Sequence, residues 1–105
     1  MFISIYIITN NEKESYKIGE KLVEERLVSC VNIIPHLKSL YWWEGKIEHA
    51  DESLMFAKTR RDLLEKVIER VKVLHSYSNP AILALPILDG NKDYLGWIIN
   101  ETREL

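Results

Sequence analysis

The residues of this chain with chemistry to offer are three histidines, one cysteine and one short basic run. His36, His49 and His75 lie too far apart to make the ligand pairs of a zinc site, and neither CxxC nor HExxH occurs. His36 follows Pro35 and His49 precedes Asp51-Glu52, so both read as exposed hairpin residues. His75 closes an apolar helical stripe and opens a polar loop. It is either a cation favoured by a helix C-terminus or a ligand. Cys30 sits beside Val31 in an apolar strand with no Lys, Arg or His next to it. It reads first as a small buried hydrophobe and only second as a nucleophile, unless the fold brings a cation to it. Ser29, Ser76 and Ser78 lack the GxSxG elbow. Lys58, Arg60 and Arg61 have no glycine-rich loop to make a phosphate cradle, so they read as a solvated junction. With no triad, no paired acid and base and no cofactor loop, the chain is expected not to be an enzyme.

Tyr41-Trp42-Trp43 is the densest aromatic feature. Strand alternation puts Trp42 on one face and Tyr41 with Trp43 on the other. Base stacking would require basic flanks, but Glu44 follows and Lys46 is near Glu48, so the cluster reads as a core or intersubunit anchor. Fourteen Lys and Arg against sixteen Asp and Glu leave a net charge of -2, which argues against a nucleic-acid partner. A single cysteine cannot form an internal disulfide, and the cytoplasm is the expected compartment. Asn100-Glu101-Thr102 fits the glycosylation pattern, which has no use on a cytoplasmic helix. The apolar run Phe2 to Ile8 is too short for a membrane span, and no basic region precedes it as in a signal peptide.

The 105 residues make one domain, residues 1–105. A monomer of this size buries only about 60–65% of its unfolded surface. Yet 47% of the residues are apolar, with three Trp and five Tyr, a surplus for a solitary domain.

Phe2 to Thr9 is nearly continuously apolar, as expected of a central strand covered on both faces. Asn11 with Glu14 three residues later predicts a helix start, with Tyr16, Gly19, Leu22, Val23 and Leu27 as its inward stripe. Val28 to Trp43 is β-rich but interrupted by Pro35, which predicts a bulge or an edge. Glu44-Gly45 predicts a tight hairpin into a strand from about Lys46 to Thr59, with an irregularity at Asp51-Glu52. Asp62 with Glu65 repeats the cap signal before a stripe of Leu64, Val67, Ile68, Val71 and Leu74. His75 to Pro80 reads as a loop, Ala81 to Leu88 as a strand with Pro86 marking an edge, and Asp89-Gly90-Asn91 as a turn before a short helix near Asp93. The order β-α-β-β-α-β plus a helix predicts an α+β, ferredoxin-like split β-α-β sandwich with an antiparallel sheet. Strands one and three then lie in the middle. Two helices cover one face, the third is too short to cover the other, and a second subunit is the expected remainder.

Five stretches resemble the CutA family of divalent-cation tolerance proteins. They are Glu25 to Asn32, Tyr41 to Glu48, Ala57-Lys58-Thr59, His75 to Ile82 and Tyr94 to Ile98, in family order over nearly the whole chain. The resemblance implies a tight homotrimer, PII-like in architecture, with hairpins and edge strands pairing between subunits. It also implies a response to metal ions, with copper or another divalent cation as ligand and no organic cofactor. In the family's His-Pro-Tyr-Glu pattern, His75, Tyr77 and Pro80 match, whereas Ser76, Ser78 and Ala81 depart from it. Of the copper ligands assigned in the family, only His75 carries over, because Leu74 and Ile8 stand at the other positions. His75 is therefore the one metal-ligand candidate. The alternative is a PII-like signalling or scaffold trimer that binds a small molecule or partner in its intersubunit clefts.

Overall fold

A computed structural model describes all residues, 1–105. The elements run β1 (Phe2–Thr9), α1 (Glu12–Glu24), β2 (Cys30–Trp43), β3 (Lys46–Arg60), α2 (Leu64–Leu74), β4 (Ile82–Ile87) and α3 (Lys92–Glu101), with a short 3-10 turn, Arg61–Leu63, before α2. The four strands form one antiparallel sheet in the order β2-β3-β1-β4. This is the expected ferredoxin-like arrangement, and both proline-bearing strands are at its edges.

Strand alternation divides the sheet into two faces. Ile3, Ile5 and Ile7 of β1 share one face with Thr59, Ala57 and Met55, their partners on β3. These apolar residues pack with Ile18 and Leu22 of α1 and Val67 and Val71 of α2 into the core. Tyr6, Ile8, Leu54, Phe56, Leu83 and Leu85 lie on the opposite face, where Leu83 and Leu85 are exposed. Within one chain, β1 is therefore fully covered on one side only. The short α3 reaches one end of that outer face, where Tyr94 meets Cys30 and Thr102 meets Arg60.

The inward face of α1 is Ser15, Ile18, Gly19 and Leu22. Tyr16 and Val23, expected on it, are exposed, and Leu27 lies beyond the helix end. The stripe is rotated because α1 sits close over β2. A Cβ at Gly19 would come within 3.1 Å of Val31, so the close approach passes through that glycine. The start is as expected: Asn11 Oδ1 accepts from the Glu14 N–H at 2.9 Å. The start of α2 is not, since Leu63 occupies the cap position without a side-chain bond. Asp62 instead takes the Arg60 guanidinium at 3.0 Å, because the 3-10 turn that buries Leu63 leaves Asp62 behind the first helical turn.

The Pro35 irregularity is a bulge. Ile34 pairs Leu54 and Leu37 pairs Glu52, so β2 carries one extra residue there. The break lies in β2, and β3 runs unbroken through Asp51 and Glu52, because proline has no N–H for the ladder. Beyond the bulge the two strands continue as a long arm to the Glu44-Gly45 turn. Both turn residues have positive φ, 49° and 78°, as a tight two-residue hairpin requires.

Candidate functional site

The polar loop after α2 packs onto the end of β1 and onto β3, and it brings His75, Tyr77, Glu14 and Glu52 together. His75 is at the C-terminus of α2, as expected, but it is buried, 9% exposed, and not set in solvent. Its Nδ1 accepts from the Tyr77 N–H at 3.0 Å, which leaves the ring proton on Nε2 to be donated to the Ile8 carbonyl at 2.7 Å. The imidazole also lies against the Tyr77 ring, with centroids 4.8 Å apart. One side chain thus ties the loop to the central strand.

Tyr77 continues outward and donates its hydroxyl to Glu52 Oε2 at 2.6 Å. Burial, first, and the Glu52 carboxylate, second, push the phenol well above its ordinary value of 10.0, so the proton stays on Tyr77. Glu52 is 6% exposed on the outer face of the sheet. It borders an open cavity of about 800 Å³ between the arm and the 77–81 loop. In the sequence Asp51-Glu52 reads only as a strand irregularity, with no sign of a partner for the acid. The signal of its face is present: an acid two residues before Leu54 and four before Phe56 shares their apolar face.

Glu14 was read only as a capping residue, and it does reach back, to the Asn10 N–H at 2.9 Å. Its other oxygen accepts from the Ser76 N–H at 2.8 Å, so it also clamps the loop. Burial raises its pKa, but the Asn10 and Ser76 donors outweigh that and hold it below the ordinary 4.5. A lowered folded value means that the ionised form favours folding. Its stabilisation is present above the unfolded value and is lost as pH falls through the folded one. Stability measured from about pH 5 to about pH 3 is therefore expected to fall more steeply in the natural chain than in Glu14→Gln. Equal slopes would place the acid sensitivity elsewhere.

Behind this cluster, Thr9, Ser15 and Ser53 form a buried hydroxyl chain, with contacts of 2.6 and 2.9 Å. Ser53 also donates to the Ile34 carbonyl at the bulge. Sequence reasoning missed all three, since isolated Ser and Thr carry no spacing signal.

The other candidates separate. His36 and His49 are exposed on the arm, as expected. Cys30 is partly exposed, and the fold does bring it a cation: Lys58 Nζ lies 3.7 Å from Sγ and the Tyr94 hydroxyl 3.4 Å from it. The Cys30 contact, ahead of burial, pushes Tyr94 up to about 12. The basic run is a solvated junction only in part, since Arg61 is exposed. Arg60 is largely buried and binds Asp62, the Thr102 hydroxyl and the Arg103 carbonyl, so it fastens the C-terminal segment to β3.

The family model of the CutA1 divalent ion tolerance protein matches residues 3–101. The chain belongs to this family. A divalent-cation tolerance protein CutA of Archaeoglobus fulgidus is 47% identical over 95% of this chain and 96% of its own. The solved structure of the periplasmic divalent cation tolerance protein CutA of that organism superposes with a TM-score of 0.94 at 44% identity, covering 96% of this chain and 98% of that one. The Thermus thermophilus Cut A1 structure gives 0.95 at 43% identity, covering 98% and 100%. The chloroplastic CutA 1 of Oryza sativa is 42% identical over 97% of this chain. This chain spans a little over half of the plant relatives, 58% of the rice protein and 56% of that of Arabidopsis thaliana. The α+β sheet described above is thus the fold of the CutA1 structures, and it is PII-like.

The family name raises the question of a metal. No three His, Cys, Asp or Glu side chains are placed so that they could hold one metal ion within one chain. Both ring nitrogens of His75 already have partners. A copper centre needs several N or O donors, so the donor set of one chain does not fit a resident metal. No helix is long and apolar enough to cross a membrane.

Proposed function

We propose that this protein acts in the cytoplasm as a homotrimeric, non-enzymatic component of the response to divalent cations. The observation that carries the assembly is the apolar surface left open by one chain. Leu40, Tyr41, Trp42, Trp43 and Ile47 on the arm are exposed, as are Leu83 and Leu85 on β4. The edges at β2 and β4 are different surfaces at opposite sides of the sheet. Pairing one with the other is head-to-tail, which closes into a ring when the rotation allows. Three copies are what the family resemblance supports, and light scattering is expected to return about three chain masses. A stable monomer overturns the reading.

Copper or another divalent cation remains the proposed ligand, with His75 as its contact. The Nε2–H bond to the Ile8 carbonyl supports this, since ligating imidazoles commonly hold a carbonyl through the other nitrogen. The ion would have to displace the Tyr77 N–H from Nδ1, so weak binding is expected. Calorimetric titration of Cu(II) into the natural chain and His75→Ala tests it. Unchanged affinity in the variant removes His75.

The cavity beside Glu52 favours a second reading, a PII-like scaffold that holds a small molecule in its clefts. A thermal-shift screen of metals against nucleotides and metabolites separates the two. If only metabolites stabilise the assembly, the metal reading falls.

A further inference from the structure

We propose that the cavity beside Glu52 is a receptor for a monovalent organic cation, an ammonium or a guanidinium. The inference deepens the scaffold reading above by naming the ligand class, and it rests on that reading for the cavity being a ligand site. Glu52 is 6% exposed, yet only one carboxylate oxygen has a partner in the chain, the Tyr77 hydroxyl on Oε2. Oε1 accepts nothing within the chain, and the carboxylate lines the cavity. No buried side-chain oxygen in the chain lacks a partner, so Oε1 stays open to the cavity, where a cation can take the place of water and make a charge-assisted bond.

The chain does not supply that cation. Lys38 is the one basic side chain lining the cavity, and its ammonium is bound to Asp51 at 2.7 Å. The walls supply the rest of a cation site. Tyr6, Tyr41, Trp43 and Tyr77 border the space, with Leu37 beside them. Aromatic rings attract a desolvated ammonium or guanidinium through the negative potential of their faces. Glu48 also lines the cavity but is exposed to water, so Glu52 is its one buried charge and matches one charge on the ligand. A divalent ion needs six or so oxygen ligands, usually with more than one carboxylate, and this cavity has one buried carboxylate.

The charged group has two sources, a free small molecule or a Lys or Arg side chain of a neighbouring copy, and the experiment separates them. Butylammonium and butylguanidinium chloride are titrated into the natural chain, with butanol as the uncharged match in shape. Tryptophan fluorescence reads the binding, since Trp42 and Trp43 flank the cavity. Glu52→Gln keeps the volume and an oxygen for the Tyr77 hydroxyl, and circular dichroism checks its fold. A free-ligand site gives saturable binding of the two cations and none of butanol. Glu52→Gln then weakens it by about ten-fold or more. Tyr77→Phe, which leaves both carboxylate oxygens to the ligand, retains it, whereas a purely structural Glu52–Tyr77 pair would respond alike to either change. A site filled by a neighbouring copy gives no saturation by free cations, but Glu52→Gln weakens assembly by a similar factor in sedimentation equilibrium. The absence of both cation binding and weakened assembly overturns the proposal. If a neutral or anionic metabolite still stabilises the protein in the earlier screen, the scaffold reading survives that failure.

Discussion

Trp42→Glu is expected to leave single folded chains at concentrations where the natural protein is assembled. The indole is 73% exposed on the arm, across the ladder from the exposed Ile47 and two residues from the exposed Leu40. It is therefore available to another copy and takes little part in the core of its own. Truncating a central interface tryptophan costs about 2–4 kcal/mol per contact, and a buried unpaired carboxylate adds to that. In a closed ring every copy bears the loss, so dissociation constants are expected to rise by about 100-fold or more. Sedimentation equilibrium measures the mass, and far-ultraviolet circular dichroism confirms that the chain stays folded. An unchanged mass would move the interface off this face of the arm, with Leu83 and Leu85 on β4 as the next surface to test.

His75→Ala is expected to lower the unfolding free energy by about 2–4 kcal/mol. The change strands the Ile8 carbonyl and the Tyr77 N–H, now joined to one imidazole at 2.7 and 3.0 Å. Each stranded buried group costs about 1–3 kcal/mol, and the lost ring leaves a gap beside Tyr77. The loop it holds also carries Ser76, whose N–H binds Glu14, and Tyr77, which binds Glu52. The loss is thus expected to loosen one wall of the cavity. Urea unfolding at fixed protein concentration gives the free energy, and an unchanged m-value shows that the folded state keeps its compactness. A loss below about 0.5 kcal/mol would mean that the imidazole is not a structural tie, and would strengthen its candidacy as a metal contact.

How much of this was legible in the sequence depended on how local the cause was. The Asn11 cap, the Glu44-Gly45 turn and the Pro35 bulge each follow from the chemistry of neighbouring residues, and each appears where expected. The edge assignment of β2 and β4 was also legible, because proline withholds a ladder donor wherever it stands. The stripe on α1 was misread by a fraction of a turn. Periodicity defines that a helix has an apolar face but not which few degrees of it meet the sheet, and Gly19 set that by letting α1 approach Val31. Asp62 failed as a cap for a related reason: burying Leu63 in a 3-10 turn took the cap position away from it.

The candidate site was legible only in part. His75 was singled out by residue type and by family resemblance, but its partner Ile8 lies 67 residues away. Glu52 and Tyr77 are 25 residues apart and meet only because β3 and the 77–81 loop border the same cavity. Cys30 and Lys58 become neighbours through the β2–β3 register, which no local pattern reveals.

Read alone, the chain was enough to establish its element order, its two edge strands, its family resemblance and a surplus of bulky apolar residues. Those are properties of composition and short-range spacing. Tertiary structure decided which face that surplus occupies, that His75 is a buried tie, and that Glu52 has a free oxygen in an aromatic cavity. Strand register and helix approach pair residues far apart in the chain. Whether a polar side chain is satisfied or left with an unmet bond is a property of those pairings and not of the residue itself.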